Sequence, residues 1–249
     1  MKKIKYFILF FVINLTTNAQ TPVLDLHSAD FAEIENAYYK DIENFYNQIS
    51  LNKKIKWLAY LSSTSVYGNH NGKWVDERSK LLSNNDTGIN RIVAENEWLK
   101  LNRYHLVPTR IFRLSGIYSP ERNIFLRLAR EQVRYVKKSN HIFSRIHVAD
   151  IAQVLFKSLI YSKDGEIYNV ADNMPCSYDK VISYACSLMG IQNPSQVSFQ
   201  SLNDGEMKNF YKDSKKVSNA KIKKDLKVKL YFPTYKEGFK SILNNIFNR

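Results

Sequence analysis

An apolar run, Trp57-Leu58-Ala59-Tyr60-Leu61, stops at Ser62-Ser63-Thr64-Ser65 and is followed at once by Val66-Tyr67-Gly68. The run is too short for a helix and is bounded by Lys56 and Ser62, so it predicts a buried strand that ends in hydroxyls and turns at a glycine. From Tyr6 onward, strand-like runs alternate with helical patterns. That alternation folds as a parallel sheet with helices on both faces. Ligands of such sheets lie in the crevice beyond the carboxyl ends of the strands, which puts Ser63 and Tyr67 where a substrate would be met.

With 249 residues the chain makes one ordinary domain, or one plus a small lobe, with enough apolar content for a core. Its net charge of +14 would suit a nucleic-acid or anionic-surface binder, but the lysines are scattered. No aromatic interleaving, zinc spacing or RNA-binding signature accompanies them, so no nucleic-acid partner is expected. Basic density peaks over Lys208 to Lys229, where Lys215-Lys216, Lys221 and Lys223-Lys224 alternate with Asp213 and Asp225, as on the solvated face of a helix or turn. Cys176 and Cys186 are too few for a disulfide framework and lack metal-ligand spacing. Free thiols, a reducing compartment and no metal site are expected.

The first twenty residues admit two readings. Lys2, Lys3 and Lys5, an apolar stretch and small residues ending at Ala19 have the form of a secretory signal, which would make the protein exported. Alternatively, Phe7 to Leu15, rich in aromatic and β-branched residues, is a buried parallel strand. The stretch is too short to span a bilayer, so no membrane partner is expected.

Five segments occur in order: Ser62 to Gly68, Arg91 to Glu95, Arg110 to Pro120, Arg145 to Ala152, and Ile167 to Asp172. In that order the chain resembles the extended short-chain dehydrogenase/reductase family, the NAD(P)-dependent sugar-nucleotide epimerases and dehydratases. The resemblance implies an α/β fold: a Rossmann-like doubly wound parallel sheet with a small C-terminal substrate lobe. It divides the chain into a cofactor-binding part over 1–162 and closing strand, helices and substrate lobe over 163–249, the two interleaved. It also implies a cytoplasmic protein, NAD or NADP as cofactor and a nucleotide-sugar-like substrate. A homodimer would pair through Phe31 to Ile49 and Arg91 to Leu101. Phe7 to Leu15 then takes the place of the family's fourth strand, ahead of a helix over Ser28 to Ser50. The glycine-rich turn that lets backbone approach a pyrophosphate is absent, because none of the eight glycines precedes Gly68. The expectation is an N-terminally truncated cofactor lobe that holds a dinucleotide poorly, with the segment that separates NAD from NADP missing.

The resemblance assigns roles residue by residue. Ser63 matches the hydroxyl that hydrogen-bonds the reacting substrate oxygen, although a strand-end serine also caps local amides. Dehydratases carry an Asp-Glu pair just after it; Thr64-Ser65 stands here, so sugar dehydration is disfavoured. The Tyr-x-x-x-Lys proton relay has become Thr87-x-x-x-Arg91, a poor base paired with a cation that holds its proton. Tyr67 lines the substrate pocket in the family and is a candidate substitute acid-base group. Arg113 and Tyr118 fall near the nicotinamide and substrate. Arg145 and His147 share one strand face, Arg145 suited to a phosphate or carboxylate and His147 more readily explained as structural than as a substrate contact. Asp150 is expected to cap the helix Ile151 to Ile160. Two functions remain open: an atypical epimerase or reductase, and a non-catalytic family member that binds or is vestigial.

Overall fold

The computed structural model describes the strand 10–12 and residues 55–133, 135–136, 138, 141–200 and 211–247. In chain order the elements are β1 (Phe10–Val12), β2 (Leu58–Ser63), a 3₁₀ turn (Thr64–Tyr67), β3 (Trp74–Val75), α1 (Asp86–His105), β4 (Thr109–Leu114), β5 (Gly116–Tyr118) and α2 (Ile124–Ala129). They continue with β6 (Tyr135–Val136), β7 (Arg145–His147), α3 (Val148–Tyr161), β8 (Ile167–Val170), α4 (Tyr178–Met189), β9 (Gln196–Val197), β10 (Lys216–Val217), α5 (Ala220–Asp225) and α6 (Tyr235–Phe247).

The fold is α/β, with a central sheet in the order β1-β2-β4-β8. Ile111 N–H donates to Glu166 O and Ser115 N–H to Val170 O; both partners advance together, so β4 and β8 run parallel. Leu58, Ala59 and Tyr60 of β2 and Ile111 and Phe112 of β4 are buried, as the near-continuous apolar runs require of strands covered on both faces. The parallel strand expected over Phe7 to Leu15 is corrected in direction. Phe10 pairs with Tyr60 and Val12 with Leu58, so β1 is antiparallel to β2. An edge strand is held by backbone groups that pair in either sense, and an antiparallel edge on a parallel sheet is common. The helix expected over Ser28 to Ser50, and the signal reading of residues 1–19, lie outside the described residues. Among those residues no helix is long and apolar enough to cross a membrane.

The chain divides into two compact units. One comprises Met1–Leu61, Ala94–Ile111 and Lys163–Glu166. Within it Tyr60 stacks on Trp98 with ring centroids 5.7 Å apart, and Arg110 pairs with Asp164 at 2.5 Å. The other comprises Ser62–Val93, Phe112–Ser162 and Ile167–Arg249, and every candidate site residue falls within it.

In this second unit Ile124, Phe125 and Leu128 of α2 pack with Val181, Ile182 and Ala185 of α4 and with Phe239 and Ile242 of α6. The apolar positions recur three and four apart, which is the spacing of one helix face. Helix α4 follows Ser177, its N-cap, and runs to Met189. It closes on Gly190 in the left-handed conformation, with Ile191 N–H on Cys186 O, a Schellman ending. The short strand β9 pairs in parallel with β6, Tyr135 opposite Gln196 and Val136 opposite Val197. Lys215 departs from the solvated-face reading. It is buried, its Nζ donating to Gly68 O at 2.9 Å and lying 3.5 Å from Asp213 Oδ2.

Candidate active site

Ser63 ends β2 with an extended backbone and caps the 3₁₀ turn, its Oγ accepting from Ser65 N–H at 3.1 Å. As an acceptor there, the hydroxyl keeps its own proton for a further bond. The turn closes on Gly68, whose φ of 61° and ψ of −146° lie in a region almost exclusive to glycine. Leu82 N–H donates to Tyr67 O and Ser83 N–H to Val66 O, which presses the following loop against the turn. Helix α1 starts from this loop. Asn85 Oδ1 accepts from Gly88 N–H at 2.9 Å as its N-cap. Gly88 permits a close approach, since a Cβ there would lie 1.8 Å from Ser83 Oγ and 3.1 Å from Ser65 O.

Tyr67 is wholly buried. Its hydroxyl donates to Asn169 Oδ1 at 2.8 Å and accepts from Arg113 Nη1 at 2.9 Å. Burial pushes this phenol up to about 12 despite the lowering by Arg113, so phenolate is inaccessible near neutral pH. Glu77 joins the group through Oε1, which accepts from Asn169 N–H at 2.8 Å. Replacing Tyr67 with Phe leaves Asn169 Oδ1 and one Arg113 bond unmade, and a loss of about 2 kcal/mol in chemical denaturation is expected. An unchanged midpoint would show that this network contributes nothing.

Thr87 is exposed in the first turn of α1, and Arg91, one turn on, is half-buried. Among the described residues Arg91 forms no ion pair.

Tyr118, Arg145 and His147 form a second cluster, all buried. His147 caps α3 with Nδ1, which accepts from Ala149 N–H at 3.1 Å, so Nε2 carries the proton. Its ring lies 5.1 Å from that of Tyr118 and 4.1 Å from that of Phe232, and burial lowers its basicity. The cap expected of Asp150 is therefore made by His147. Asp150 turns inward instead, its carboxylate accepting from Tyr231 N–H at 2.6 Å and Phe232 N–H at 3.1 Å. Arg145 stacks 3.8 Å from the Phe143 ring centroid and donates through Nη1 to Cys176 Sγ at 3.3 Å. Its Nη2, Tyr118 Oη and Asp172 Oδ2 are buried and find no hydrogen-bond partner among the described residues.

Asp172 is the residue whose role the sequence left unassigned, although it ends one of the five segments. It is 1% exposed, its Oδ1 accepts from Met174 N–H, and burial lifts its carboxyl to about 7. Asn169 was equally unassigned. A carboxylate and an amide just inside and beyond a strand end, in a segment otherwise apolar, were the available signal.

A dinucleotide would need glycines presenting an open cradle of backbone amides. At Gly68 a Cβ would strike Leu82 O at 2.4 Å, at Gly88 it would strike Ser83, and at Gly238 it would strike Tyr118 Oη. These three glycines are filled by protein and offer no cradle to a pyrophosphate, and Gly190, which is open, closes the carbonyl end of a helix instead of presenting its amides.

No family model and no curated relative matches the chain. Solved structures do. A functionally unknown conserved protein from Silicibacter pomeroyi superposes with a TM-score of 0.76 at 33% identity, over 93% of this chain and 82% of that one. A dTDP-glucose 4,6-dehydratase from Bacillus anthracis, in complex with NAD, gives 0.68 at 17% identity, over 84% of this chain and 68% of its own. A UDP-glucuronic acid 4-epimerase from Bacillus cereus, also with NAD, gives 0.64 at 14%, over 81% and 66%. At the identities of the last two, the likeness is one of fold.

Proposed function

Because the chain belongs to the extended short-chain dehydrogenase/reductase family, related by sequence to the Silicibacter pomeroyi protein, we propose that it is an atypical member that binds an anionic, nucleotide-sugar-like compound and transfers no hydride unaided. The observation that carries this reading is the state of the relay. Thr87 has no phenol, Arg91 stands where the relay has a lysine, and Tyr67 is locked between Asn169 and Arg113. What remains available to a ligand is Ser63, with a hydroxyl proton to give, and Arg91, a half-buried cation without an ion pair among the described residues. Arg113, Tyr118, Arg145 and His147 are buried.

Calorimetric titration with UDP-glucose and with NAD(H) and NADP(H) tests this. UDP-glucose should bind, and Arg91→Met should weaken it by roughly tenfold, the scale of one charge-assisted contact. Neither cofactor should bind at micromolar concentrations. Micromolar affinity for either cofactor, or an Arg91→Met variant that binds UDP-glucose as well as the parent, would refute the proposal.

The second reading, an epimerase or reductase of unusual mechanism, is favoured by Ser63 alone. In that case Ser63→Ala should lower kcat by roughly tenfold or more, as loss of one transition-state hydrogen bond does. Undiminished turnover in that variant would exclude Ser63 from the chemistry.

A further inference from the structure

A cavity of about 300 Å³ lies beside β3 and β10, lined by Trp74, Asp172, Asn173, Ser218, Asn219 and Lys223. Of these residues only Asp172 also meets the Arg145 cluster, its N–H donating to Arg145 O at 2.6 Å. Trp74 is 58% exposed, whereas Val75, its neighbour in β3, is buried. A solitary exposed tryptophan is ordinary on a protein surface. This one stands beside a set of fixed donors.

Asn173 Oδ1 accepts from Lys223 Nζ at 2.7 Å and from Asn219 Nδ2 at 2.8 Å. Two donors on one oxygen fix the amide, and Nδ2 is the group left over for a ligand. Ser218 Oγ accepts from Ala220 N–H at 3.4 Å and keeps its proton to donate. Lys223 has two further N–H groups, and Lys216 Nζ lies 5.9 Å from the centroid of the Trp74 ring. The single acid of the lining, Asp172, is 1% exposed and its carboxyl is turned to Met174 N–H, so it does not cancel the lysines at the mouth. A wall of this kind is rich in donors and positive charge, and it suits an acceptor-rich anion. The indole face beside it suits a flat ring.

We propose that this cavity binds a flat-ring compound bearing a phosphate or carboxylate, with the ring on Trp74 and the anionic group on Lys223, Asn173 and Ser218. The site is independent of the Ser63 proposal.

Phenyl phosphate is a suitable probe, followed by tryptophan fluorescence. Trp57 and Trp98 are 4% and 9% exposed, so quenching from solution reports on Trp74. Saturable quenching with a Kd of about 1 mM or tighter is expected. Lys223→Met and Asn173→Ala, both at exposed positions, should each weaken it by roughly tenfold. By calorimetry Trp74→Ala should lose binding, and Trp74→Phe, which keeps a ring, should retain it. Absence of saturation, or variants at Lys223 and Asn173 that bind like the parent, would overturn the proposal. So would inorganic phosphate or phenol binding as tightly as phenyl phosphate, since either would reduce the cavity to a simple anion or apolar contact.

Discussion

Replacing Gly68 with Ala is expected to cost about 3 kcal/mol or more, enough to unfold a marginal domain. Two effects add at this position. The φ of 61° with ψ of −146° is strained for any residue with a Cβ. The Cβ would also meet Leu82 O at 2.4 Å, Leu82 C at 2.5 Å and Ser83 N at 2.7 Å, all backbone atoms that cannot swing aside. Relief would break the Leu82 and Ser83 bonds to Tyr67 O and Val66 O and disturb the carbonyl that Lys215 holds. Gly190→Ala is the matched control. Its φ is 68°, but a Cβ there meets nothing within 4 Å, so only the backbone penalty of about 1 kcal/mol remains. Urea denaturation of both variants measures the difference. Equal losses would show that the packing of Leu82 on the turn adds nothing.

The features legible in the sequence are those set by local rules. The strand at Trp57, the helix that Ser177 caps and Gly190 ends, and the hydroxyls at the end of β2 follow from short-range spacing and turn chemistry. The five ordered segments carried the family and the α/β fold. What the sequence concealed depends on partners far along the chain. Lys215 sits in a run of alternating charges that reads as solvated, yet its ammonium meets a carbonyl 147 positions away. Tyr67 follows the strand-end hydroxyls that would face a ligand, but Asn169, 102 positions on, and Arg113 hold its phenol inside. Asp150 occupies a position that suits a helix cap, and the Tyr231 and Phe232 amides draw it inward. In each case a polar side chain is buried because a specific partner completes its hydrogen bonds, and that partner has no local signature. The direction of β1 was hidden for a related reason: an apolar run carries no record of the sense in which its backbone pairs.

Asp172→Asn should make the protein more stable than the parent at about pH 8, by roughly 2 kcal/mol or more beyond any difference between the two at about pH 5. The ordinary carboxylate gains a partner on folding and is held more acidic; Asp172 is the reverse. Its folded value is about 7 against 3.8 for the free side chain, with burial the dominant cause and Arg145 only a partial offset. The folded state therefore binds the extra proton across the window between those values. Stability is highest below it, declines as pH rises through it and stays reduced above it, by up to about 4 kcal/mol in all. Asn keeps the oxygen that accepts from Met174 N–H and removes the titration. Any packing penalty of the substitution is common to both pH values and cancels in the comparison, and the attraction of Arg145 is already contained in the folded value. Asp150 and Glu77 are also raised by burial, and both remain in parent and variant. Denaturation midpoints of the two proteins across the window decide the matter. If the two stability profiles run parallel, Asp172 titrates no differently in the folded protein than in the unfolded chain, and burial does not outweigh the partners of this carboxyl.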